Sequence, residues 1–238
     1  MMQADVQPDR ITPAIEDYVK AIYTLQQRDA EVTTSLLGEQ LGGIKPGSVT
    51  GMLKKLADLN LVTYTPYQGV CLTEAGERVA LEIVRHHRLL ELYLVEALGY
   101  SWDEVHDEAE VLEHYISEKL EARIAAHLGH PDYDPHGDPI PTLDGVLPDR
   151  DDERLVDLPV GTYAEVVRVC DQHTERLRYL QSLGLVPGAI LQITACAPFE
   201  GPISIRIGQT IHPLDYRVAR MIYVLAQPGD PQDDRHAA

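Results

Sequence analysis

Histidine and glutamate crowd two short stretches of the chain, His86-His87-Arg88-Leu89-Leu90-Glu91 and His106-Asp107-Glu108-Ala109-Glu110-Val111-Leu112-Glu113-His114. On helices, His87 and Glu91 stand one turn apart. His106, Glu110, Glu113 and His114, at i, i+4, i+7 and i+8, share one face. Two adjacent helices would present imidazole nitrogens and carboxylate oxygens to each other. That donor mixture suits a divalent transition metal such as manganese or iron. Taken singly, each of these side chains reads as a solvated helix residue; the joint spacing carries the metal reading.

The elements that must hold these residues follow from periodicity and punctuation. Ile15, Tyr18, Val19, Ile22 and Leu25 recur at helical spacing after Pro13, which suits a first turn. A short helix runs from Thr34 to Leu41, capped by Thr33 or Thr34 and stopped by Gly42-Gly43. A third begins near Pro46 and runs to Asn60, with Val49, Leu53 and Leu56 inward. The runs 61–66 and 70–72, joined by Tyr67-Gln68-Gly69, read as a hairpin. This order is that of a winged helix-turn-helix. A long helix follows through Ala97, and a second covers about Glu104 to Leu128. Residues 131–159, rich in Pro, Gly and Asp, read as an irregular connector. Alternating runs at 163–169, 190–195, 203–207 and 221–224, with a helix near 175–183, read as a small β-barrel-like domain.

The chain has 238 residues and a formal net charge of -18. Such acidity weighs against nucleic acid until its distribution is considered. From Lys45 to Arg88, the bases Lys45, Lys54, Lys55, Arg78, Arg85 and Arg88 outnumber Asp58, Glu74, Glu77 and Glu82. The acidity begins at Glu91, where the candidate metal ligands lie, and bound divalent cations would offset part of it. No apolar run is long enough to span a membrane, and the N-terminus lacks the basic and apolar regions of a signal peptide. Cys71, Cys170 and Cys196 are far apart, form no zinc pattern, and read as reduced, buried thiols of a cytoplasmic protein. With no H-E-x-x-H and no nucleophile elbow, the chain reads as a non-enzyme.

In a helix-turn-helix the start of the second helix enters the major groove. Here that start is Lys45, Pro46, Gly47, Ser48, Thr50 and Gly51. Ser48 and Thr50 can bond phosphates or base edges, while Pro46 and the Thr50 methyl can touch thymine methyls. Lys54 and Lys55 would meet phosphates, and Gln68 with Tyr67 at the wing tip would reach the adjacent backbone. No Arg or Asn stands ready for bidentate base recognition, so specificity rests on shape and apolar contact.

Several runs together resemble the diphtheria toxin repressor family of iron- and manganese-dependent regulators. These are Glu16-Asp17-Tyr18 with Ile22-Tyr23, Pro46 to Lys55, His87 to Glu91, Val105 to Ala109, Glu113-His114 and Asp134 to Pro141. The resemblance implies an α+β multidomain chain. Residues 1–76 would form a winged helix-turn-helix, 77–145 a helical metal-binding and dimerisation domain, 146–159 a linker, 160–226 an SH3-like small β-barrel, and 227–238 a disordered tail. It implies a primary metal site of Asp17, Glu110, Glu113 and His114. A second would use His87, Glu91 and His106 with Gln172 and Glu175 of the SH3-like domain, Asp171 and His173 being competitors. Iron-type members place Met and Cys where this chain has Asp17 and Glu110, so the implied cofactor is Mn2+, with Fe2+ the alternative. Manganese-type members carry a further acidic ligand where this chain has Lys20. The expected function is metal-dependent repression of metal-uptake genes by a homodimer on a palindromic double-stranded operator. The alternatives are an iron(II)-responsive repressor and a metal-independent winged-helix adaptor.

Overall fold

In the computed structural model the described residues are 11–28, 31–65, 68–171 and 173–227. They fall into two compact units. The first holds the residues up to His87 together with Val111–Glu118 and Pro141–Val146; the second holds Arg88–Glu110, Lys119–Ile140 and Leu147 onwards. The units cut across the expected domain boundary at 76/77, because the segment after residue 110 packs with the N-terminal elements.

The first unit begins with α1 (Pro13–Gln26), which has proline in its first turn and buries Ile15, Tyr18, Val19, Ile22 and Leu25. In α2 (Thr34–Gln40) the Thr33 side chain accepts a hydrogen bond from the Leu36 amide at 3.2 Å. The helix then stops at Gly42 and Gly43, whose φ values of +79° and +86° favour glycine. α3 (Pro46–Asp58) buries Val49, Leu53 and Leu56. The antiparallel pair β1 (Val62–Thr65) and β2 (Gly69–Leu72) follows, in register Val62 to Leu72. Pro66 and the expected wing residue Tyr67 lie outside the described residues. Helix, helix, helix and hairpin share one apolar core, so this is the winged helix-turn-helix that the spacing predicts.

α4 (Glu74–Leu98) starts against this core. A Cβ on Gly76 would lie 1.9 Å from the Leu61 carbonyl oxygen, so only glycine lets the two backbones approach. Gly76→Ala is therefore expected to cost about 3 kcal/mol, the upper end of ordinary overpacking. A urea unfolding midpoint equal to that of the parent would refute this.

In the second unit a six-stranded antiparallel sheet has the order β3-β8-β4-β5-β6-β7. Its strands are β3 (Glu153–Arg154), β4 (Tyr163–Val169), β5 (Ile190–Cys196), β6 (Ile203–Ile207), β7 (Thr210–Leu214) and β8 (Ile222–Gln227). Their inward residues, with Leu177 and Leu180 of α7 (Thr174–Ser182), make a second core. The short helix α8 (Tyr216–Ala219) precedes β8. This is the small β-rich domain the pattern predicts, and the SH3-like domain that the resemblance implies.

Three expectations are corrected. The helix expected from 104 to 128 is two, α5 (Val105–Leu112) and α6 (Glu118–His127). Glu113 and His114 occupy the turn between them, so they do not share a helix face with His106 and Glu110. The acidic and imidazole side chains of that turn bond to α1 and α4 instead of continuing the spiral. The segment 146–159 is not merely a linker. β3 pairs with β8, and Leu155 is fully buried in the barrel core. The cysteines are free, but Cys71 and Cys196 are exposed and Cys170 is half-buried; Cys71 sits on the outward position of an alternating strand.

Candidate metal centres and nucleic-acid interface

In the first unit, Asp17 from α1 meets Glu113 and His114 from the turn after α5. One ligand atom from each lies within 4.8 Å of the others. His114 is oriented by Glu16, to which the sequence pattern assigns no role. Its Nδ1 is 2.7 Å from Glu16 Oε2, which directs Nε2 to Asp17 Oδ1 at 3.0 Å and to Glu113 Oε1 at 3.7 Å. A carboxylate holding one ring nitrogen fixes the tautomer that frees the other for a cation. The adjacent acidic pair Glu16-Asp17, facing opposite nitrogens of one imidazole, was the available signal.

The inner side of Glu113 already carries a positive charge. Lys20 Nζ donates to both carboxylate oxygens, at 2.9 and 2.7 Å, and lies 3.1 Å from His87 Nδ1. His87 Nδ1 is also 2.5 Å from Glu113 Oε2, and the Glu113 side chain is fully buried. Thus the first unit joins His87 to Glu113 and Lys20, a set that the sequence did not predict.

The second unit gathers a different set around Glu91. One carboxylate oxygen lies 3.4 Å from His106 Nδ1 and the other 3.5 Å from His136 Nδ1. Glu110 Oε1 lies 3.7 Å from His106 Nε2, so Glu110 stands beside His106, whereas Asp17, Glu113 and His114 belong to the first unit. Glu91, Asp134 and His136 are all buried and present ligand atoms within 4.8 Å of one another. Asp134 Oδ1 accepts from the His136 and Asp138 amides at 2.8 and 2.9 Å, a turn that fixes the carboxylate. His136 Nε2–H donates to the Trp102 carbonyl at 2.7 Å, leaving Nδ1 toward Glu91. Asp134 and His136 are ligand candidates that the helical spacing did not predict; the D-x-H pair in that loop was the signal. Glu175 is exposed on the first turn of α7 and joins none of the His/Asp/Glu clusters among the described residues. Gln172 lies outside those residues. Of the competitors, Asp171 pairs with Arg176 at 2.9 Å and accepts from the His173 amide at 3.0 Å.

Burial, then the charges of Asp138 and Glu91, push the Asp134 carboxyl up to about 7. Burial draws His136 down, but the hydrogen bond and charge of Glu91, with Asp134, overcome it and raise the imidazole to about 9. Both groups hold protons more tightly folded than unfolded. Their stabilising contribution is complete below the unfolded values of 3.8 and 6.5 and is lost as pH rises through about 7 and about 9. A metal needs both deprotonated, so its affinity for this cluster rises across the same window. The manganese-induced gain in Tm should therefore widen between about pH 6 and about pH 8 while the chelated protein loses stability. A gain that stays constant would remove this cluster from the ligand sites.

The DNA-facing candidates lie at the start of α3 and on the wing. Lys45, Pro46, Gly47, Ser48, Gly51, Lys54, Lys55 and Gln68 are exposed, and Thr50 is half-buried. The Thr50 hydroxyl donates to the Pro46 carbonyl at 2.9 Å, so its proton is committed to the helix and its methyl and lone pairs remain for DNA.

A winged helix, ligand clusters of imidazole and carboxylate, and a small barrel define a DNA-binding protein equipped for divalent metals. The comparisons agree over almost the whole length. Family models match for the iron dependent repressor N-terminal DNA binding domain at residues 10–70, for the iron dependent repressor metal binding and dimerisation domain at 73–142, and for the FeoA domain at 153–226. The iron-dependent repressor IdeR of Mycobacterium tuberculosis is 32% identical over 76% of this chain and 84% of its own length. The HTH-type regulator MntR of Oceanobacillus iheyensis is 35% identical over 44% of this chain and 71% of its own. A solved manganese-dependent transcriptional repressor in complex with manganese shares 41% identity and a TM-score of 0.84, covering 90% of this chain and 100% of that one. The chain belongs to the iron-dependent repressor family, that of the diphtheria toxin repressor.

Proposed function

We propose that this chain is a manganese-responsive transcriptional repressor, binding a palindromic operator as a homodimer in the cytoplasm when metal is abundant. The observation that carries this is the Asp17, Glu113 and His114 cluster, because it connects α1 of the winged helix to the turn that follows α5. Two carboxylates and one imidazole, with no thiolate or thioether, fit manganese by donor chemistry. When bound, divalent manganese supplies a compact double positive charge that these hard donors share. Asp17 then anchors α1, on which α3 packs through the common core. Glu16 holds the His114 tautomer. Lys54 and Lys55 meet phosphates while the start of α3 meets base edges. In a dimer, two such helices must stand about 34 Å apart to enter successive major grooves, and mobile heads pay ordering entropy to do so. Among the described residues no helix is long and apolar enough to cross a membrane.

The name of the iron-dependent relatives, and the FeoA-domain match of this chain at residues 153–226, favour iron(II) as the second reading. Fluorescence anisotropy on promoter DNA of manganese-transport genes, with manganese, anaerobic iron(II) or chelator at one salt concentration, decides between them. Tight binding with manganese alone is expected. Equal binding with chelator would overturn metal dependence, and a preference for iron would overturn the choice of ion.

A further inference from the structure

Outside the two clusters just described, Glu82 and His86 lie one turn apart on α4, and Glu118 is the first residue of α6. Their ligand atoms come within 4.8 Å of one another. The three border a cleft of about 290 Å³ whose walls also include Glu16, Glu113 and His114. Four carboxylates line that cleft and no lysine or arginine does. His86 is 5% exposed, and its Nδ1 lies 3.3 Å from the Glu113 carbonyl oxygen. An N–H donated there leaves the lone pair on Nε2, the arrangement found when a protein presents an imidazole to a metal.

We infer that Glu82, His86 and Glu118 form a further divalent-cation site, separate from the Asp17 cluster. One imidazole and two carboxylates take a first-row ion such as manganese, with water completing its shell. Glu82 and Glu118 are exposed, so this site is weaker than the buried clusters and fills last. Glu113 links it to the Asp17 cluster: the backbone carbonyl of that residue holds His86, and its carboxylate faces Asp17 and His114. Filling the cleft therefore steadies Glu113 and tightens the ion beside it. The outcome is a graded response, in which excess metal reinforces a switch already closed.

The test is equilibrium manganese binding to the full chain, with free manganese read by electron paramagnetic resonance. The parent is compared with the double variant Glu82→Gln, Glu118→Gln. Both positions are exposed, so folding is preserved; Glu118→Gln alone serves as the milder control. The parent should bind one ion more per chain than the double variant, and Glu118→Gln should weaken that last ion about tenfold. Both variants should keep metal-dependent operator binding at low manganese. Equal ion counts and equal affinities in parent and variants would overturn the site. Loss of metal-dependent operator binding in the parent would instead overturn the proposed function and leave the ion count standing.

Discussion

Glu113→Gln is expected to abolish manganese-dependent operator binding, bringing affinity with metal down to the level seen with chelator, a loss of about a hundredfold or more if metal shifts the binding-competent population as strongly as a two-state switch requires. Three interactions meet on this carboxylate. It faces Asp17 and His114 in the ligand cluster, accepts two hydrogen bonds from Lys20, and pairs with His87. Its side chain is fully buried, and that of Lys20 is only 14% exposed. Glutamine keeps the volume but removes the charge. The lysine then loses the Glu113 carboxylate as counter-charge in a largely buried setting, a class of change that costs about 3–5 kcal/mol. The variant should be both metal-blind and less stable. Glu110→Ala separates the two effects. Its carboxylate is 41% exposed, so its removal should cost little stability while still weakening metal-dependent binding, given the role the resemblance implies. Anisotropy and thermal unfolding of both variants check this. Intact manganese dependence in Glu113→Gln would remove the cluster from the mechanism.

What the sequence disclosed and what it concealed divide along a physical line. The winged helix was legible because each of its elements carries local punctuation: Pro13 and Pro46 at helix starts, Thr33 as a cap, Gly42-Gly43 as a stop. The break between α5 and α6 was not. No glycine or proline marks residues 113–117, and Ser117, a residue favoured at helix starts, was the sole local cue. A helical period drawn through it put Glu113 and His114 on a face they do not occupy. β7 was also missed. The alternating runs do not include 210–214, where Pro213 interrupts the pattern, yet β7 is the sheet's edge strand, a place where proline is tolerated. The ligand types were legible from spacing; their partners were not. Asp134 and His136 become ligand candidates only when a buried loop closes on Glu91. Its tight turn depends on Gly137 at φ +83°, where a Cβ would meet the Val167 carbonyl at 1.9 Å. The bond from Glu16 to His114 spans 98 positions, beyond the reach of any local pattern.

Lys20→Glu carries the second large expectation, and it follows from charge placement. Lys20 lies three residues after Asp17 on α1, with its ammonium bonded to Glu113 and close to His87. In effect a covalently tethered cation fills the inner side of the ligand cluster. A second divalent ion beside Glu113 would meet that charge at a few ångströms, where two unit charges repel by about 4 kcal/mol at the dielectric typical of a protein surface and a divalent ion by about twice that. The parent cluster should therefore hold one ion. Glutamate at this position removes the ammonium and adds a carboxylate beside Glu113 and His87, a donor set with room for a second ion. Without metal, the variant places two carboxylates together without the ammonium that bonds Glu113 in the parent, so the chelated protein should be markedly less stable than the parent. With manganese the loss should be largely recovered, because only the folded chain binds the added ion. Two readings check this: ions bound per chain by equilibrium dialysis, expected to rise by one, and the difference in Tm with and without manganese, expected to widen. Lys20→Met supplies the control. It removes the cation without adding a ligand, so it should destabilise the chelated protein yet gain no tightly bound second ion. A Lys20→Glu variant with the parent's ion count and Tm difference would show that Lys20 acts only as a structural partner of Glu113 and does not set how many metals the cluster holds.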